Sequence, residues 1–380
     1  MSHADPSASR LTKAFIHLDR LTHNLRLLQE LVGERLLWPV IKGDAYGHGA
    51  HIVARHLARL GYYTFGVADV QEAVELIEAG IEATFIILSA TLPEHSGALV
   101  AYGCEPVVCT LEMIDALARD AAKAARRVAV HLKVDTGMGR VGIRPDEVPG
   151  FLERCRALPA LRVRGLMSHF PRADEADKSF SKQQIEQFRR VAEVAKGYGI
   201  EIRHMANSAA VFDLPDAYFD AVRPGIAMYG LRPSSQIANP RAQALEPVLE
   251  WKTRITFLKE VPAGAGLSYG HVFHTPRPSL IATVPVGYAD GLSRRLSNQL
   301  DLLVRCVRCP QVGRITMDMS LIDVTVLRGH VELGDEAVII GQQGSEEVTA
   351  DELAEKLGTI NYEVVSTISR RVSRVVATSR

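Results

Sequence analysis

The 380-residue chain is 47% apolar and carries 44 basic against 44 acidic residues, for a formal net charge of zero. That composition is ample for more than one packed core and excludes the basic excess of a nucleic-acid binder. No apolar run approaches the length that spans a bilayer, which excludes a helical membrane protein. The opening "MSHADPSASR" is small and polar and lacks the apolar stretch of a signal peptide, so it is expected to be a loose tail on a cytoplasmic protein.

In chain order, "KAFIHLD" (13–19) reads as a strand that could belong to either of two domains, and "LTHNLRLLQELVGERL" (21–36) as the first helix. From about residue 38 to 230, short apolar runs alternate with amphipathic stretches. The strand candidates are "PVIKG" near 40, "FGVA" near 66, "FIIL" near 86, "PVVC" near 107, "VAVHLKV" near 131, "VRGLMSH" near 166, "IRHMA" near 204 and "AVRPGI" near 223. Between them lie helical patterns such as "HIVARHLARL", "VQEAVELIEAG", "LEMIDALARDAAKAA" and "SKQQIEQFRRVAEVAKGYG". Eight strands each followed by a helix predict a (β/α)8 TIM-like barrel. A doubly wound sheet would alternate similarly, but the count of eight and the length favour closure.

The composition then changes. "RPSSQIANPRAQALEP" (232–247) reads as a linker. After it come glycine-punctuated strand-like runs, "WKTRITFL", "LIATVPVGY", "LDLLVRCV" and "MSLIDVTV", and only "TADELAEKLG" looks helical. The predicted organisation is a tail over 1–12, an α/β barrel over 13–240 and a mainly β C-terminal domain over 241–380. Of the five cysteines, Cys306 and Cys309 form a C-x-x-C in "VRCVRCP". With no second pair or ligand-spaced histidines nearby they read as two thiols in a strand-rich segment, and no metal site or disulfide is expected.

Chemistry gathers at the ends of the predicted strands, where barrels of this type place their active sites. Lys42 follows the first strand. Alone it reads as a lysine snorkelling to the barrel mouth. The following "GDAYGHG" favours a functional amine: two glycines let the backbone approach a ligand, Tyr46 adds a hydroxyl, and partial desolvation would lower the amine's pKa. Asn207 and Ser208 follow the seventh strand, and Arg223, Gly225 and Ile226 the eighth. Loops after strands seven and eight frequently bind a phosphate through N–H groups, hydroxyls and a helix N-terminus. Singly, these are a helix cap and a turn glycine. Together with Lys42 they suggest a phosphorylated aldehyde, and pyridoxal 5'-phosphate held covalently by its lysine fits.

The ordered blocks "VIKGDAYGHGA", "HLKVDTGMGRVG", "MSHF..AD", "VRPGIAMYG", "GLSYGHVF", "VPVGYADG", "VGRITMDM" and "TINYEVVSTISRRVSR" resemble the successive signatures of bacterial alanine racemases, from Lys42 to Arg374. The resemblance implies a pyridoxal phosphate enzyme of a barrel followed by a β domain, acting as a head-to-tail homodimer with shared active sites. It implies that Lys42 carries the cofactor and that Tyr269 is the second acid/base. Tyr46, Ser208, Gly225, Ile226 and Tyr362 match phosphate ligands, with Asn207 beside them, and Leu88 packs near the ring. Arg223 matches the partner of the ring nitrogen, with His169 behind it. Arg140 and the backbone of Met317 match groups that hold the substrate carboxylate and the cofactor phenolate. Lys133 matches a lysine often carbamylated in the family, which steadies Arg140, and Tyr288 matches an entrance tyrosine. The chain departs from the common pattern at Thr316, where a cysteine usually precedes the Met-Asp pair, and in "KGDAYGHG" and "ILS".

Racemisation removes the Cα proton from one face and returns a proton to the other. Lys42 can serve one face. Tyr269 can serve the other if Arg140, Arg223 and His169 favour its phenolate. A permanently charged Arg223 at the ring nitrogen disfavours ring protonation and so limits transamination. It also argues against a decarboxylase of the same architecture, where a carboxylate would make a stronger electron sink. A non-catalytic pyridoxal phosphate carrier would not need the second domain with Tyr269 and Tyr362. A serine or broad-specificity racemase stays open through Thr316. The expected product in the cell is D-alanine for peptidoglycan.

Overall fold

The computed structural model describes residues 10–378. The chain divides into two compact units, one of residues 20–45 and 50–246, the other of residues up to 19, 46–49 and 247 onward.

The first unit is a parallel barrel. Its strands are β2 (Leu36–Leu37), β3 (Thr64–Val67), β4 (Thr84–Ile87), β5 (Glu105–Val108), β6 (Val128–Lys133), β7 (Leu161–Met167), β8 (Ile202–His204) and β9 (Ala221–Val222); β1 (Lys13–Ile16) lies outside it. The sheet runs in the order β2-β9-β8-β7-β6-β5-β4-β3. The ring closes through a parallel bridge between Val40 and Gly66, with Ile41 N–H donating to Gly66 O at 2.8 Å and Gly66 N–H to Pro39 O at 2.9 Å. These strands are nearly continuously buried, as parallel strands sheathed by helices must be. Helices start where polar caps meet apolar periodicity: Asp69 caps Val70–Glu78 and Thr110 caps Leu111–Lys123, each accepting from the N–H three residues on.

Seven of the expected strand–helix pairs are present. The eighth is not, because β9 leads into a 3₁₀ turn, Ile226–Tyr229, instead of an α-helix. The helix Leu18–Val32 supplies cover from the N-terminal side: Asn24 donates to Met228 O at 3.2 Å and Glu246 O at 2.8 Å, and accepts from Glu246 N–H at 2.9 Å. The predicted linker is pinned, since Asp213 accepts the N–H groups of Ala238 and Asn239 at 3.0 Å.

The second unit is mainly β. Its strands are β10 (Leu249–Arg254), β11 (Phe257–Val261), β12 (Gly266–Leu267), β13 (Phe273–His274), β14 (Ser279–Val284), β15 (Asp301–Val304), β16 (Val307–Pro310), β17 (Ser320–Asp323), β18 (Glu336–Gln343), β19 (Glu346–Val348) and β20 (Ser373–Val376). The main sheet runs β16-β15-β18-β10-β1-β20, with β19 on β18; β11-β14-β17 and β12-β13 form smaller sheets. The "KAFIHLD" run therefore belongs here, β1 pairing antiparallel with β10 and parallel with β20. Of the tail expected over 1–12, residues 1–9 lie outside the described residues. Thr12 is not loose: it is buried, bonded to Thr253 Oγ1 at 2.8 Å and to Pro285 O at 2.7 Å. Cys306 is exposed at the turn between β15 and β16 and Cys309 is buried in β16, both as free thiols.

Candidate active site

In the barrel unit, Lys42 stands just past the bridge that closes the ring. The three residues after it turn left-handed: Gly43 at φ 62°, Asp44 at 52° and Ala45 at 56°. L-residues avoid this region at roughly 1–2 kcal/mol each, so the turn needs outside support. Glu72 gives it, one carboxylate oxygen accepting Gly43 N–H and the other Ala68 N–H, both at 2.7 Å. Asp44 gives more, accepting Ala50 N–H at 2.7 Å at the start of the helix Ala50–Arg59. Burial, then Arg140, pushes the Lys42 amine below its ordinary pKa; Glu72 opposes this and Arg223 adds to it.

Arg223 is buried, and burial pushes its guanidinium down to about 9, so it stays charged at neutral pH. It donates to His204 Nδ1 at 2.7 Å, Ser168 O at 2.9 Å and Met205 O at 3.2 Å, and its Nη2 lies 3.5 Å from His169 Nδ1. Burial and then the cations Lys133, Arg223, Arg140 and Lys42 hold His169 well below its ordinary value, hence neutral. Lys133, 5% exposed, is likewise pushed well down by burial, Arg223 and Arg140. Lys42, Lys133, Arg140 and Arg223 thus act on one another electrostatically, opposed by Glu72 at Lys42 and by Asp135 and the Cys109 thiol at Lys133.

Asn207 caps the helix Ser208–Asp213, accepting Ala210 N–H at 3.1 Å. The Ser208 hydroxyl accepts the N–H groups of Gly225 at 2.8 Å and Ala227 at 3.3 Å, so Ser208, Gly225 and Ile226 meet where the loops after β8 and β9 touch. Leu88 continues β4, its N–H donating to Val67 O at 2.9 Å, and packs on Trp38, Ile86, Ile202 and Ala221.

The remaining predicted residues lie in the second unit. Tyr46 and Tyr362 face each other with ring centroids 6.1 Å apart. The segment 46–49 is held there because a Cβ on Gly47, which has φ 81°, would sit 2.1 Å from Val365 O, and because Arg374 Nε donates to Gly47 O at 2.9 Å. Tyr288 and Met317 are adjacent: Tyr288 N–H donates to Thr316 O and Ala289 N–H to Met317 O, both at 3.0 Å. Tyr269 is 72% exposed. It is presented by a loop with Ser268 at φ 58°, whose hydroxyl donates to Arg314 O at 2.7 Å. The Thr316 hydroxyl is engaged in its own turn, donating to Met319 O at 2.9 Å.

Sequence reasoning missed Glu72, His131, His204 and Glu105. For Glu72 a signal existed, since "DVQE" at 69–72 has the Asp-x-x-Glu spacing of a helix start. The other three sit in β5, β6 and β8, far apart in the chain, and no local pattern joins them.

A lysine whose pKa is lowered by burial, a buried arginine and a serine hydroxyl joining two strand-end loops lie within one barrel, a basic set suited to an anionic small molecule. Residues 16–233 match the alanine racemase N-terminal domain and residues 248–376 the alanine racemase C-terminal domain. The chain is 45% identical over 369 residues to the alanine racemase of Halothermothrix orenii, covering 96% of this chain and 97% of that one. It is 40% identical over 365 residues to that of Clostridium novyi, covering 95% and 94%. Alanine racemase from Clostridium difficile 630 has a solved structure that matches with a TM-score of 0.92 at 35% identity, over 97% of this chain and 96% of that one. The Bacillus anthracis enzyme with bound L-Ala-P matches at 0.91 and 36%, over 97% and 95%. The chain belongs to the alanine racemase family, and with it to the isomerases. Among the described residues no helix is long and apolar enough to cross a membrane.

Proposed function

We propose that the chain interconverts L- and D-alanine with pyridoxal 5'-phosphate, using Lys42 and Tyr269 as bases on opposite faces of the substrate, in the cytoplasm and for peptidoglycan precursors. The observation that carries this reading is the gathering of four basic side chains, Lys42, Lys133, Arg140 and Arg223, in one barrel, which Glu72 and Asp135 only partly offset. Such a site fits a cofactor that brings a phosphate and a phenolate, and a substrate that brings a carboxylate.

Lys42 would hold the cofactor covalently. Tyr46, Ser208, Gly225, Ile226 and Tyr362 would hold its phosphate, with Asn207 capping the helix behind them and Leu88 packing near the ring. Arg223 would face the ring nitrogen with His169 behind it. When bound, the cofactor withdraws electron density from the substrate Cα and makes its C–H acidic. The downward shift of Lys42 favours the free amine, which would take a proton at Cα on one face. Tyr269 would give or take the proton on the other. Arg140 and the Met317 backbone would hold the substrate carboxylate and cofactor phenolate, and Tyr288 would guard the entrance.

A buried lysine whose pKa burial and two guanidiniums push well down also suits carbamylation. Lys133 would add to carbon dioxide, lose a proton and place an anion between Arg140 and Arg223. The spent hydroxyl of Thr316 favours alanine over serine, since it offers no unpaired partner for a substrate hydroxyl. Tyr269, Tyr288, Met317 and Met319 expose 44–72% of their surface on loops of the second unit. That supports a homodimer in which a partner covers them and shares Tyr269.

The test is Cα-proton loss in D₂O, followed by NMR for each enantiomer. Tyr269→Phe should cut racemisation about 10²–10⁴-fold in both directions. Exchange from D-alanine, which needs only Lys42, should outlast exchange from L-alanine. Equal losses for the two enantiomers would remove Tyr269 as a face-specific base.

A further inference from the structure

A single-file chain of buried polar groups crosses the barrel interior behind Arg223. Arg223 Nη1 meets His204 Nδ1 at 2.7 Å, and His204 Nε2 meets His131 Nδ1 at 2.8 Å. His131 Nε2 then meets Glu105 Oε2 at 2.9 Å, and Glu105 Oε1 accepts from Arg164 Nη1 at 2.7 Å. Both imidazoles are fully buried, and the edge of Trp38 contacts both rings at centroid distances of 5.9 and 5.0 Å.

The backbone is shaped for this chain. The β6–β7 pairing slips at Val130/His131, so Val130 opposes Val163 while His131 opposes Gly165. Arg164 is the extra residue of that bulge, and a bulge re-aims the side chain it carries. A Cβ on Gly165 would stand 2.0 Å from His131 Nδ1. Only glycine leaves room for the ring.

Proton positions follow from the donor inventory. Arginine has no acceptor, so His204 Nδ1 must offer its lone pair and carry its hydrogen on Nε2. That hydrogen is donated to His131 Nδ1, which places the His131 hydrogen on Nε2, toward the Glu105 carboxylate. Both rings are neutral: burial lowers His131, and burial with Arg223 holds His204 well down. Burial raises Glu105, but His131 and Arg164 outweigh it and keep the carboxylate charged.

We propose that Glu105, His131 and His204 are positioning residues for Arg223, a proton-ordered chain that fixes the guanidinium through a neutral imidazole while its carboxylate stays two rings away. A carboxylate in direct contact would cancel the charge of Arg223. Here the carboxylate is matched by Arg164, and Arg223 presents its full charge to the site. The inference rests on the reading that Arg223 faces the ring nitrogen of the cofactor.

The experiment combines ¹⁵N-histidine NMR with cofactor spectroscopy. In the native protein without cofactor, His131 and His204, assigned by their single replacements, should both show the neutral Nε2–H form. An imidazolium or an Nδ1–H form at either position overturns the chain. Glu105→Leu should disturb both tautomers, shift the absorption band of bound pyridoxal phosphate and lower kcat about tenfold at little changed KM, the scale of lost supporting contacts. Glu105→Gln keeps an acceptor for His131 and should restore all three. Altered tautomers with a native band and kcat would overturn the positioning role. If Arg223→Lys also leaves the band unmoved, the fault lies in placing Arg223 at the ring nitrogen, whereas a band that moves for Arg223→Lys alone condemns the chain.

Discussion

Glu72 accepts the backbone N–H of Gly43, the residue after Lys42, at 2.7 Å, and its other oxygen holds Ala68 N–H at the same distance. The bonds brace a left-handed turn that is unfavourable by itself. Hydrogen bonds to a charged acceptor are worth roughly 1.5–3 kcal/mol, so Glu72→Ala should destabilise the chain by about 2 kcal/mol in urea unfolding. Glu72 also raises the Lys42 pKa against the larger effect of burial. Glu72→Gln should therefore make Lys42 of the cofactor-free protein react with an amine-directed reagent at lower pH. A midpoint that moves upward, or stays, would sink the assignment.

Gly165 lies opposite His131 at the bulge, with 2.0 Å between a built Cβ and the ring nitrogen. Gly165→Ala forces the imidazole or the strand to move. Overpacking of this kind costs about 1–3 kcal/mol. The readout is the urea midpoint, and a change below about 0.5 kcal/mol, the scale of an ordinary surface substitution, would mean the ring is not confined.

Glu250 predicts an acid limit to stability. Burial raises its carboxyl, but His17 and Lys252, at 3.4 and 2.8 Å, outweigh that and bring it from the ordinary 4.5 to about 2. A carboxyl held low in the folded chain adds stability above its unfolded value and loses it as pH falls toward its folded one. The difference amounts to roughly 3 kcal/mol, lost between about pH 4.5 and 2. Glu250→Gln should flatten the stability–pH curve in that window and lower stability at pH 7. An unchanged slope between native and variant would refute the linkage.

The proposed sharing of sites between two subunits predicts complementation. Lys42→Ala and Tyr269→Phe proteins are each expected to be inactive. After subunit exchange at equal amounts, half the dimers are mixed and each mixed dimer holds one native site. About a quarter of native activity should return. No recovery, with exchange proven by mass-tagged subunits, would place Lys42 and Tyr269 of one subunit in the same site.

Much of the fold was legible because its signals are short-range. Strand and helix periodicity over 38–230, the cap at Asn207 and the position of Lys42 after a strand depend on residues within a turn or two of one another. The ordered blocks carried the family and the candidate residues with them. What only the tertiary structure decided depends on partners distant in sequence. Lys13–Ile16 finds β10 and β20, more than two hundred residues away, because those strands leave edges that β1 completes. Residues 46–49 leave the barrel for the second unit because Gly47 fits against Val365. In place of an eighth helix stands the 3₁₀ turn Ile226–Tyr229, whose Met228 carbonyl accepts from Asn24, a partner no local pattern reveals. Glu105, His131 and His204 meet only when three strands curl into one barrel, and desolvation, which no local pattern encodes, is the largest cause of the lowered pKa of Lys42 and Lys133.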